Sequence, residues 1–126
     1  MRYCLMRELL LLTAALHACT AAVIVAAGGS AAFALWTLCA TAVSMAWHWR
    51  GEPAGWLAFV DYAGAAGWLA FELALTRQLA ATLLLNGAVF VLNRLCAGSK
   101  QYAVHHSAWH VISALKCVLV AQTCRG

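Results

Sequence analysis

The chain has 126 residues, 65% of them hydrophobic and 10% charged, with a net charge of +4 at pH 7 and a mean hydropathy of +0.82. Soluble domains run at roughly half apolar and a quarter charged residues, so a single small water-soluble core is excluded and an integral membrane chain is implied. The basic residues stand singly at the ends of apolar runs and form no stripe, which excludes a nucleic-acid partner.

A helix needs about 20 apolar residues to cross a bilayer core, and five segments meet that length. The first runs from Leu9 to Ala27 and stops at "GGS" (Gly28 to Ser30). Arg2 and Arg7 ahead of "LLLLTAALHACTAA" give it the outline of a signal peptide, and "LHAC" (Leu16 to Cys19) that of a lipoprotein cleavage site. The apolar stretch nevertheless continues through Val23, Ile24 and Val25 to Gly28, so it reads as a retained spanning helix. The second segment runs from Ala31 to Trp49 and closes on "RGEP" (Arg50 to Pro53). The third runs from Ala54 to Leu75, carries Asp61 and Glu72, and holds a run of small residues (Ala63 to Gly67) of the kind that lets helices approach closely. The fourth runs from Leu79 to Leu95, and the fifth from Tyr102 to Ala121.

Connections this short make neighbouring helices antiparallel, and only helices satisfy their own backbone in lipid. The expected fold is therefore all-α: one domain, an up-down transmembrane bundle of about five helices. Arg2, Arg7, Arg50, Arg94 and Lys100 fall on the N-terminal side, against Arg77 and Arg125, with Lys116 nearer that opposite end. The bias places the N-terminus in the cytoplasm. The compact chain and the missing organelle signals point to a bacterial inner membrane. The six cysteines show no CxxC spacing and read as free thiols.

Ionisable groups inside spans are expensive and usually face a cavity or a partner. His48 sits at the end of the second helix, Asp61 near the start of the third, and His106 and His110 in the first turns of the fifth. In an up-down bundle all three of these helix ends lie on one side of the membrane, so the histidines and the aspartate share one level. Ser44 and His48 are four apart and share a helix face, as do His106 and His110. Two histidines at that spacing can ligate one metal from one helix, and His48 can supply a third nitrogen. Three protein ligands and an open position make a catalytic type of zinc site, in which Zn²⁺ polarises a carbonyl and activates water. Asp61 would carry protons or support an imidazole, and Ser44 would bond the metal water or a developing oxyanion.

Taken singly, each feature has a plainer reading: an interfacial histidine is an anchor, Ser44 a helix–helix hydrogen bond, and Asp61 a structural partner of Arg50 or of an imidazole. The joint pattern at one depth favours the metal site. His17 lacks a partner at helical spacing and reads as a buried polar contact. His105 points about 100° away from His106 and is not expected to be a ligand. Glu72 shares the helix face of Asp61 but lies about 16 Å further along the axis and is expected to be solvated at the opposite surface. Asn86 reads as interhelical glue and the tryptophans mainly as interface belts.

The order "SMAWH" (Ser44 to His48), then Asp61, then "HSAWH" (His106 to His110) resembles the CREST superfamily of membrane hydrolases, which includes alkaline ceramidases, progestin and adiponectin receptors and GPI-lipid remodelling proteins. The resemblance covers residues 44 to 110 and implies that His48, His106 and His110 bind zinc, that Asp61 acts in proton transfer and that Ser44 helps hold the site. It also implies hydrolysis of a lipid amide or ester, with a membrane lipid as substrate. The family core has seven helices, so this chain resembles a shortened form, whose substrate cavity a homo-oligomer could complete. Three rivals stand beside it: a receptor-like protein with a structural metal, a haem protein with axial histidines, and a proton relay of His and Asp residues.

Overall fold

The structure is a computed structural model that describes residues 2–123, with side chains from residue 5 onward. Cys4 and Cys124, and the charges counted at Arg2 and Arg125, lie outside the described side chains. The described chain is helical in five pieces: α1 (Arg2–Ala26), α2 (Ala31–Trp49), α3 (Trp56–Leu75), α4 (Leu79–Ala97) and α5 (Tyr102–Ala121). The helix α1 starts seven residues before the expected Leu9 and α3 two after the expected Ala54. The early start is polar, and the guanidinium of Arg7 sits 4.5 Å above the Trp49 ring.

Tight turns join the helices, and their glycines are placed where the backbone needs them. Gly28 has φ +73°, and the Gly29 amide closes back on the Ile24 carbonyl at 2.8 Å, a Schellman-type stop. Ser30 then caps α2 by accepting from the Phe33 amide. After α2, Gly51 (φ +77°) and Glu52 (φ +59°) both turn left-handed, and the Glu52 amide bonds the Trp47 carbonyl at 3.0 Å. A left-handed glutamate costs about 1–3 kcal/mol and persists where its surroundings fix it.

Around the ring the order is α1–α2–α3–α4–α5, closed by contact between α5 and α1. The weak link is between α3 and α4, which touch sparsely. They are tied at the Thr76 end by Thr76–Thr82 (2.8 Å) and Asn86–Glu72 (2.7 Å) hydrogen bonds. The small residues of α3 let it approach α2 closely. Gly67 lies against the Trp36 ring, and Trp36 Nε1 donates to the Gly64 carbonyl at 3.0 Å. An apolar core (Ala21, Ile24, Phe33, Ala34 and Ala121, with Phe71 stacked on Phe33) sits at the Thr76 end.

Four helices, α1 to α4, are long and apolar enough to cross a membrane. Their large apolar side chains point outward, as Leu12, Phe59 and Leu84 do, where lipid replaces water. The fifth, expected to be a span like the others, is not among the four. Its length suffices, but its inner face is polar: His106, Ser107, His110, Ser113 and Lys116 are all buried in the ring. Glu72 corrects a second expectation. It is fully buried rather than solvated, and it accepts from Lys116 Nζ at 2.7 and 2.8 Å. Asn86 joins the pair, donating to Glu72 and accepting from Lys116 at 3.1 Å, so it acts as the interhelical glue its position suggested.

Candidate metal centre

The site is assembled from the end of α2, the turn after it, and the first turns of α5, against α1. His48, His106 and His110 are all buried, and each offers a nitrogen within 4.8 Å of the others. Their ring centroids stand 4.6 Å (106–110), 5.1 Å (48–110) and 5.4 Å (48–106) apart. These are the three histidines expected from spacing, and they converge because α2 and α5 approach the cavity from different sides at one depth.

The hydrogen bonds behind the rings fix which nitrogens are bare. His48 Nδ1 lies 2.8 Å from Glu52 Oε1. A carboxylate only accepts, so Nδ1 carries the proton and Nε2 keeps its lone pair. His110 Nδ1 lies 3.1 Å from Thr13 Oγ1, whose own hydrogen goes to the Leu9 carbonyl at 2.8 Å. The Thr13 oxygen must therefore accept from Nδ1–H, and the His110 Nε2 lone pair is also free. His106 is held by stacking between Tyr102 (4.8 Å) and Trp109 (5.0 Å).

Two atoms test whether a metal suits this donor set. His48 Nε2 and His106 Nδ1 are buried without a hydrogen-bond partner. A buried polar atom left unpaired costs about 1–3 kcal/mol. Bare imidazole nitrogens within 4.8 Å of one another, with the rings held from behind by Glu52, by Thr13 or by stacked aromatics, are what a cation would satisfy. Three neutral nitrogens suit Zn²⁺, Cu, Fe or Ni by type. The residues fit a metal ion.

Glu52 and Thr13 were not read as site residues. Glu52 takes the supporting place that the sequence offered to Asp61. Burial alone would raise its carboxyl, but hydrogen bonds from His48 and Tyr102 hold it below the usual carboxylate range. The available signal was its i,i+4 position after His48. Thr13 gave none, being 97 residues from His110.

Asp61 lies outside the three-histidine cluster. It is hydrogen-bonded to Ser44, so the pair joins α2 to α3. Both residues line the same cavity, of about 440 Å³, as the three histidines. The Ser44 hydroxyl donates to the carboxylate, which makes it a holder of Asp61. His17 lines the cavity one turn below, with Nδ1 on the Ala14 carbonyl at 3.2 Å and its ring edge-on to Trp68 and His110. His105 faces out and meets Ser99 Oγ at 2.5 Å, so it is no ligand. Trp36, Trp49 and Trp56 are exposed, and Trp36, Trp47 and Trp109 donate their ring N–H to backbone carbonyls. The thiols of Cys19, Cys39, Cys96 and Cys117 are free.

Compared with family models, curated proteins and solved structures, the chain matches none.

Proposed function

We propose that this protein is a zinc-dependent hydrolase of the membrane interior, acting on a lipid amide or ester. The observation that carries the reading is the trio of buried histidines, with bare nitrogens, opening onto a cavity that also holds a carboxylate. His48, His106 and His110 would hold the ion. When bound, Zn²⁺ polarises a carbonyl and activates water at neutral pH. The remaining work belongs to the chain. Glu52 and Thr13 orient two of the imidazoles through their Nδ1 protons. Asp61, held by Ser44 across the same cavity, takes and returns a proton. The sparse α3–α4 seam gives a lipid sideways access to the cavity from the bilayer.

The order Ser44, His48, Asp61, His106, His110 adds the CREST-like resemblance to this support, and the basic residues on the N-terminal side favour a cytoplasmic site. The test is hydrolysis by zinc-loaded protein in lipid nanodiscs, offered a ceramide and a glycerolipid ester, with products read by mass spectrometry. Turnover of either, abolished in His110→Ala and reduced by about 10²-fold or more in Asp61→Asn, supports the reading. A zinc-loaded protein that turns over neither lipid removes it.

One observation favours a second reading. His106, His110, Ser113 and Lys116 make a buried polar file along α5, which suits proton relay. Dissipation of a pH gradient by proteoliposomes, lost in Lys116→Met, would favour relay over hydrolysis.

A further inference from the structure

The cavity has a roof and a floor of different kinds. The roof is the histidine cluster. Below it the small side chains of Ala14, Ala40, Ala65 and Ala66 alternate on α1, α2 and α3 with the larger His17, Thr41 and Trp68, and Val89 and Ser113 face them from α4 and α5. These alanines are why the middle of the ring is not filled by protein. The lining is mostly apolar despite the polar file on α5, and a space of this size loses contact energy unless something occupies it.

The floor is the Glu72–Lys116–Asn86 cluster. Lys116 reaches the cavity from α5 and Asn86 from α4, while Glu72 is fully buried behind them on α3. Its polar atoms satisfy one another: the ammonium bonds both carboxylate oxygens and the amide oxygen, and the amide nitrogen bonds Glu72 and the Thr82 carbonyl. Such a cluster has no N–H donor left to offer an incoming ligand. Pushing an alkyl chain through it would break a buried ion pair. The same three residues tie α3, α4 and α5 together, so the α3–α4 seam is closed at floor level.

The depth follows from α5 alone. His110 and Lys116 are six residues apart on one helix, which is about 9 Å of rise.

We infer that the space beneath the histidines is a length-limited alkyl pocket: it takes the hydrocarbon of a medium-chain acyl group, about six to eight carbons, and the Glu72–Lys116–Asn86 cluster stops anything longer. The inference rests on the proposed metal-dependent reading of the roof and names the substrate class for it. A lipid with a longer second chain leaves that chain in the bilayer, outside the ring.

Straight-chain hydroxamic acids test this without requiring turnover, because the hydroxamate binds the metal and the chain measures the pocket. Binding of the series from four to fourteen carbons to zinc-loaded protein is measured by calorimetry, with His110→Ala as the background for partition into the micelle. The expected affinity rises roughly three- to fourfold per added methylene up to about eight carbons and then stays flat or falls. In the double variant Glu72→Leu/Lys116→Met the rise continues to longer chains. The wild-type series stands as a test even if the variant fails to fold. A steady rise through fourteen carbons in the wild type overturns the inference, since the chain is then escaping the ring. Absence of hydroxamate binding overturns it together with the metal reading. A break near eight carbons in a protein that hydrolyses no lipid leaves the pocket standing and removes only the hydrolase.

Discussion

Lys116→Met asks whether the buried charge cluster holds the bundle as its geometry implies. Glu72 is wholly inside, with Lys116 on both carboxylate oxygens at 2.7 and 2.8 Å and Asn86 on one at 2.7 Å. Removing the ammonium leaves a buried carboxylate with one amide donor, and breaking a buried pair this way costs about 3–5 kcal/mol. Removing both charges has a different result. Glu72→Leu/Lys116→Met takes away the desolvated ions together, a change that is often neutral or stabilising by about 1–4 kcal/mol. Against that, Asn86 Oδ1 loses its donor at a cost of about 1–3 kcal/mol, so the double variant should lie within about 2 kcal/mol of wild type. The assay is unfolding in mixed micelles of increasing denaturing detergent, followed by helical circular dichroism, for wild type, both single variants and the double. A single-variant loss under about 1 kcal/mol, or a double variant as unstable as the sum of the singles, would refute the reasoning. The charges would then be solvated independently of each other.

Glu52→Gln keeps the size of the side chain but weakens the acceptor behind His48, and zinc affinity measured against a competing chelator should fall about 10–100-fold. Thr13→Val should act in the same direction through His110 Nδ1, and His105→Ala should leave affinity unchanged. Only neutral imidazoles ligate, so affinity should drop tenfold or more between pH 7.5 and 5.5. Glu52, held below the usual carboxylate range, stays charged throughout that window. Its support is lost only as pH falls through its own depressed value, below about 4.3. Gly67→Ala should destabilise the α2–α3 contact by about 1–3 kcal/mol, because the added Cβ overlaps the Trp36 ring, and the same mixed-micelle unfolding assay checks it.

The helices were legible because the first three apolar runs end at "GGS", "RGEP" and "TRQ" and the fourth gives way to the polar "GSKQ". The three histidines were legible because i,i+4 spacing and up-down topology together set a depth. The rest depended on the order of helices around the ring, which short loops do not specify. Glu72 and Lys116 are 44 residues apart, and only their placement on facing sides of one cavity makes them partners rather than solvated ends. Thr13 meets His110 because α5 packs back on α1, the contact that closes the ring. Glu52 was hidden by its turn: in "RGEP" it looks like a loop charge, yet the left-handed pair Gly51–Glu52 folds it back under His48. Asp61 lines the same cavity as the three histidines, but its hydrogen bond goes to Ser44 and not to an imidazole.

Whether His48, His106 and His110 hold an ion is decided by metal content, read by mass spectrometry on protein purified in detergent, for wild type and for His48→Ala, His106→Ala, His110→Ala and His105→Ala. About one zinc per chain is expected in wild type and His105→Ala, and loss in the other three. A folded wild type without metal, or zinc retained in all of the variants, would contradict the three-histidine site.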